Sequence, residues 1–261
     1  MRHHAGFSLV ELVVVILVLG ILAAGSVTYI RHASLGYASA LDRSELASNA
    51  RLALGRLERE LRNALPGSLR SNGQCIEFVE ADAGGSYLQL PVGSSEDHAV
   101  SVPLIGNIGG DSLRMAVFPV QVADIYALAS PGPVSPAVTL EPPDAEGKVR
   151  VNFAAPHAFP EHSPTSRFYL ISQPVSYCVH EGRLWRFSDY GFMNSQPAPT
   201  SLPANMPQRG LVGTGLQLDN PPFEVEAASL TRNAVVSIDL MFASGDDRLR
   251  IRHSVQVRNV P

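Results

Sequence analysis

An apolar run from Leu9 to Leu22 carries a single carboxylate, Glu11, close to its start. From Phe7 to Ile30 the chain has 24 residues, about 36 Å as an α-helix, enough to cross a hydrocarbon core about 30 Å thick. The chain is therefore expected to begin in a membrane. A charged side chain at bilayer depth costs on the order of 2.5 to 3.5 kcal/mol. Arg2 is the sole Lys or Arg before Arg31, so a partner for Glu11 must come from elsewhere.

Proteolysis can create one. Cleavage after Gly6 would make Phe7 the amino terminus and place a free ammonium at the depth of a neighbouring copy's Glu11. The sequence Gly6-Phe7-Ser8-Leu9-Val10-Glu11 followed by an apolar helix resembles the class III signal of type IV pilins and pseudopilins. The resemblance implies that a prepilin peptidase cuts between Gly6 and Phe7 and methylates the new terminal Phe7. An ordinary secretory signal is the rival reading, with Arg2, His3 and His4 as its basic region and Ala23-Ala24-Gly25 as its cleavage site. Against it, a secretory apolar core rarely holds an acid.

The chain has 261 residues and a net charge of −4, which becomes −5 if Arg2 leaves with residues 1–6. That balance offers no general attraction for phosphates, so nucleic acid is not an expected partner. Cys75 and Cys178 are the two cysteines. Both lie in the part that would be exported to an oxidising compartment, and a disulfide between them is the default reading. It would close a loop of roughly 100 residues, for which chain entropy gives about 4 to 5 kcal/mol. Neither cysteine sits in a C-x-x-C pattern, so redox or metal chemistry is not indicated.

Beyond the apolar run, Leu46, Ala50, Ala53, Leu54, Leu57, Leu61 and Leu65 recur at spacings of three and four, which predicts one buried helical face. Arg56 with Glu60 and Glu58 with Arg62 lie four apart, and Pro66-Gly67 supplies a stop. The helix is predicted from Phe7 to about Ala64, roughly 87 Å of rod. Its lower half is expected to be apolar all round apart from Ser8 and Glu11, and its upper half, 31–65, amphipathic. Gly36 could let the rod bend.

After Pro66 the pattern is that of short strands: Cys75 to Glu80, Tyr87 to Pro91, Leu113 to Val120, Ala137 to Leu140, Val149 to Phe153, Arg167 to Ser172, Val175 to Val179 and Arg183 to Phe187. Most of the 20 prolines fall in later loops. The clearest hairpin is C-terminal. Val236, Ile238, Leu240 and Phe242 alternate on one strand, and Leu249, Ile251, Val255 and Val257 on the next. Pairing Ala243 with Arg248 lets both apolar faces coincide and sets Asp239 opposite Arg252. His253 alone breaks the apolar face.

Cys75-Ile76-Glu77-Phe78-Val79, Val175-Ser176-Tyr177-Cys178 with Leu184-Trp185-Arg186, and the ending Val255 to Pro261 resemble the MshO minor pilins of the mannose-sensitive haemagglutinin (MSHA) pilus. They are more weakly similar to PilW and to the J-type pseudopilins of type II secretion. The resemblance implies an α+β pilin-like fold: leader 1–6, membrane or filament-core helix 7–30, amphipathic helix 31–65 and β-rich head 66–261. It also implies an inner-membrane precursor with a periplasmic head that primes or caps a pilus. Expected partners are the prepilin peptidase, other minor pilins, the major pilin and the inner-membrane assembly platform. A type II secretion pseudopilin, or a tip adhesin or DNA-capturing subunit, is the alternative.

No catalytic motif or cofactor signature stands out. Gly213-Thr214-Gly215 lacks the third glycine of a dinucleotide loop. His157, His162 and Glu161 match no zinc spacing and read as solvated loop residues. Asp239, Asp246 and Asp247 form no calcium loop. Arg248, Arg250, Arg252 and Arg258 read as a solvated or subunit-facing row, and Trp185 with Phe187 as core.

Overall fold

The computed structural model describes residues 8–104, 112–227, 232–245 and 247–257. The architecture is α+β: a long apolar N-terminal helix, α1 (Leu9–Arg62), followed by antiparallel sheets. The chain divides into two compact units between Ser48 and Asn49.

In the first unit α1 is exposed around its whole circumference as far as Glu45. Leu9, Val10, Ile16, Ile21 and Val27 are each more than three-fifths exposed. Ser26 and Thr28 add two hydroxyls to a stretch expected to carry only Ser8 and Glu11, and each binds the carbonyl one turn back, at 2.7 and 2.9 Å. That local bond satisfies the hydroxyl without water. Along the upper half of α1 the first buried residue is Leu46.

In the second unit, Ala50, Ala53, Leu57 and Leu61 are buried as the spacing predicts, each leucine contributing about 1.5 to 3 kcal/mol. The helix ends at Arg62 and not at Ala64, because the chain turns into a sheet: Leu65 N–H donates to the Val79 carbonyl at 2.7 Å, and Ala81 N–H to that of Asn63 at 2.8 Å. Gly67, at φ +80°, lies where a Cβ would stand 2.7 Å from the Pro119 carbonyl oxygen. A side chain there would meet both strain and a clash.

The strands are β1 (Arg70–Ser71), β2 (Cys75–Gln89), β3 (Glu96–Ser101), β4 (Arg114–Ala116), β5 (Val134–Leu140), β6 (Val149–His157), β7 (Arg167–His180), β8 (Arg183–Phe187), β9 (Arg209–Thr214), β10 (Leu216–Gln217), β11 (Phe223–Glu226), β12 (Ala234–Ser244) and β13 (Asp247–Val257). A short helix, α2 (Val122–Ala127), buries Ile125 and Tyr126. Nine strands run in the order β1-β2-β3-β6-β5-β4-β7-β8-β9, and β2 also pairs with β7. The pairings β2–β3, β3–β6, β6–β5, β5–β4, β4–β7 and β7–β2 thus close into a ring of antiparallel strands. Inside it pack Tyr87, Met115, Val138, Val151, Phe153, Phe159, Phe168 and Leu170. Closure removes sheet edges there.

β2 and β7 do two jobs along their length. Cys75–Val79 and Pro174–Val179 are buried on both faces, whereas from Ala81 to Gln89 exposed positions alternate with partly buried ones and with the buried Tyr87. The register shifts fall between Val79 and Ala83, beside Pro174. A proline lacks the N–H for a ladder, so an irregularity is where a strand tolerates one. This is why β7 is one strand across a proline that the sequence pattern treats as a break.

β10, β11, β12 and β13 make a second sheet. In β12–β13, Ala243 faces Arg248, Phe242 faces Leu249, Leu240 faces Ile251, Val236 faces Val255 and Asp239 faces Arg252, as the alternation predicts.

One buried ion pair ties β1 to the surrounding loops. Arg70 Nε meets Glu77 at 2.7 Å, the glutamate being fully buried. The guanidinium lies 3.5 Å from the Tyr126 ring centroid and donates to the Met193 and Asn194 carbonyls. Tyr190 O–H donates to Glu77 at 3.0 Å. Burial pushes the Glu77 carboxyl up, opposed by Arg70 and Tyr190. Arg70→Met is expected to cost about 3 to 5 kcal/mol, since it strands a buried charge. Adding Glu77→Gln should recover part of that loss in urea denaturation of the full chain in detergent; a double variant no more stable than the single one would refute the charge as the cause.

Candidate functional site

Ser8 starts α1. The Glu11 backbone N–H donates to Ser8 Oγ at 3.2 Å, and Leu12 N–H to the Ser8 carbonyl at 3.2 Å. Ser8-Leu9-Val10-Glu11 therefore has the spacing of a helix-capping box, with an acid in the first turn where the helix dipole favours it. The capping role of Ser8 was legible in that spacing, though the apolar run draws attention away from it. Glu11 is exposed, and among the described residues its carboxylate makes no ion pair. Gly6 and Phe7, the expected cleavage and methylation positions, lie outside the described residues.

Ser8 and Glu11 sit together at the start of an uncovered apolar helix. Residues 1–27 match the prokaryotic N-terminal methylation motif. The match covers the apolar run, Glu11 and the Gly6-Phe7 junction, so the chain carries the amino-terminal signal of type IV pilin-like subunits. No curated protein and no solved structure matches the chain, and the narrower likeness to MshO gains no support from a relative. α1 is long and apolar enough to cross a membrane. A type IV pilin-like signal implies processing by a prepilin peptidase and assembly with other pilus components.

The head holds a second polar constellation under the C-terminal part of α1. Glu60 Oε1 binds Arg56 Nε at 3.2 Å within the helix, and Glu60 Oε2 receives Arg186 Nε of β8 at 2.7 Å. Glu58 binds Arg62 at 2.6 Å and meets His253 Nε2 of β13 at 3.2 Å. Both helix-surface pairs expected from spacing are thus also tertiary contacts. His253, the one polar break in the hairpin's apolar face, is explained by Glu58. Nothing in the spacing points to Arg186 or His253 as partners, because those contacts join residues 126 or more positions apart.

Beside Glu60 lies Glu80 of β2, whose nearest cation is Arg186 at 3.9 Å. Burial, then the charges of Glu60 and Asp82, push the Glu80 carboxyl up to about 7, with Arg186 and Arg56 pulling the other way. Cys75 and Cys178 are joined and fully buried, facing each other across β2–β7. Phe187 and Leu202 pack around them.

The histidine expectation needs correction. His157 is buried, not solvated: its Nε2 is 2.9 Å from the Gly132 carbonyl and its ring lies edge-on to Phe159 at 4.7 Å. Burial lowers its pKa. His162 stacks near Tyr87. Among the described residues no group of three or more metal-ligating side chains occurs. Trp185 is only half-buried, with the Arg209 guanidinium 3.6 Å from its ring centroid. Arg250 and Arg252 bind Asp239, while Arg258 lies outside the described residues.

Glu80 yields a pH prediction. Its folded pKa near 7 exceeds the ordinary 4.5, so between those values the folded chain holds a proton that the unfolded chain has lost. Stability from this group therefore falls as pH rises through that window. With a discount for partial exposure, the loss from pH 5 to 7.5 is about 1 to 2 kcal/mol. Glu80→Gln should flatten that part of the denaturation-against-pH curve; parallel curves for the two proteins would show that Glu80 is not the titrating group.

Proposed function

We propose that the chain is a minor pilin-like subunit, cut between Gly6 and Phe7, methylated at Phe7 and built into a type IV filament through α1. The match of residues 1–27 to the methylation motif carries this reading. The exposed apolar helix supports it, because a bare surface of that kind needs a bilayer or neighbouring helices to cover it. The β-rich head is then periplasmic before assembly. Its short resemblance to MshO segments favours an MSHA-type pilus and a priming or tip position. The same observations accommodate a type II secretion minor pseudopilin, which the J-type resemblance favours; the composition of the neighbouring gene cluster separates the two.

In the filament, the Phe7 ammonium of one subunit would lie against Glu11 of the next. Any other axial offset leaves a buried carboxylate without a cation, at a cost of several kcal/mol per subunit, so the pair fixes the register. The subunit's work is mechanical and templating. Its partners are the prepilin peptidase, the inner-membrane assembly platform, other minor pilins and the major pilin.

Replacing Gly6 by a bulkier residue tests the processing step: Gly6→Val should leave full-length precursor in the membrane fraction by mass spectrometry, and normal trimming to Phe7 would overturn the assignment. Glu11→Gln should be trimmed normally yet recovered in sheared filaments at a small fraction of the wild-type level; wild-type recovery would remove the charge-pairing role.

A further inference from the structure

We propose that β13 is a docking edge for an extended partner segment carrying acidic side chains at alternate positions. Among the described residues β13 pairs with β12 alone, so its other edge offers an open backbone ladder along Arg248–Val257. Half of the backbone N–H and C=O groups of such a strand face away from its neighbour and can receive another strand. The edge contains no proline or bulge that would turn a partner away.

The side chains say what kind of strand fits. Arg248, Arg250 and Arg252 are exposed on one face of β13. Their spacing of about 6.8 Å is that of alternate side chains on an added strand, so each would stand directly opposite one residue of the partner. The acids near this row lie on the other side of β13: Asp239 on β12, Glu224 and Glu226 on β11, and Asp219, whose charge reaches Arg250. Arg250 already shows the geometry such a contact would use, holding both oxygens of Asp239 at 2.8 and 2.6 Å. Arg252 reaches the same carboxylate at 3.3 Å and remains 70% exposed.

A second copy is a poor occupant. Antiparallel pairing of two β13 strands with matching faces sets arginine row against arginine row, and like charges directly opposite are destabilising. The arginines that guard this edge against self-association are the same groups that select an acidic strand.

The test uses the full-length chain in detergent micelles and three synthetic nonapeptides: one alternating glutamate with valine, one alternating lysine with valine, and the glutamate peptide N-methylated along one edge. Binding of the first should protect β13 backbone amides from hydrogen exchange and weaken as salt is raised. The lysine and N-methylated peptides should give no protection. The double variant Arg248→Gln with Arg252→Gln should bind the glutamate peptide about tenfold more weakly, with its exchange pattern in β12 unchanged. Protection located elsewhere, equal binding of the lysine peptide, unchanged affinity in the double variant, or a concentration-dependent dimer joined through β13 would each overturn the proposal.

Discussion

The head depends on the pairing of β2 with β7. One end of that pair, joined by Cys75–Cys178, is buried on both faces, with Phe187 and Leu202 packed around the disulfide and Tyr126 near Val79. The other end belongs to the closed ring around Phe153, Phe159 and Phe168. A two-strand ribbon alone is marginal in water. Here its two halves gain stability from different cores, and the irregularity at Val79 to Ala83 lets the strands change surroundings without ending.

Several polar contacts in the head fix one element against another where apolar burial is non-directional. Glu60 with Arg186, Glu58 with His253 and Arg70 with Glu77 each join a residue on one element to a residue on another. Glu80 is the exception, a partly buried carboxylate beside like charges with only a distant cation. Its raised pKa is why this joint is the one expected to respond to proton concentration near neutrality.

The apolar part of α1 poses the opposite problem. Its side chains are already helical and internally bonded, Ser26 and Thr28 included, but the face they present is uncovered. Lipid can cover it in a precursor, and like helices can cover it in a filament. Glu11 is the carboxylate within this apolar stretch, and in the proposed filament a neighbour's cation would satisfy it.

The sequence by itself determined everything that rests on local periodicity. The apolar run with its single acid, the buried stripe through Ala50, Ala53, Leu57 and Leu61, the strand Arg183–Phe187 and the register of the C-terminal hairpin all follow from the spacing of apolar residues, since side-chain direction repeats every 3.6 or 2 positions. The tertiary structure alone decided what joins distant segments. β3, β9, β10 and β11 have weak patterns and exist because β2, β6, β8 and β12 supply their hydrogen bonds. β7 passes through Pro174 because a bulge tolerates it. His157 is buried because Phe153 and Phe159 surround it, and His253 breaks an apolar face because Glu58 is there to meet it. Apart from the disulfide that a lone pair of cysteines announces, pairings across more than 100 residues leave no periodic trace in the chain, so only the folded arrangement shows them.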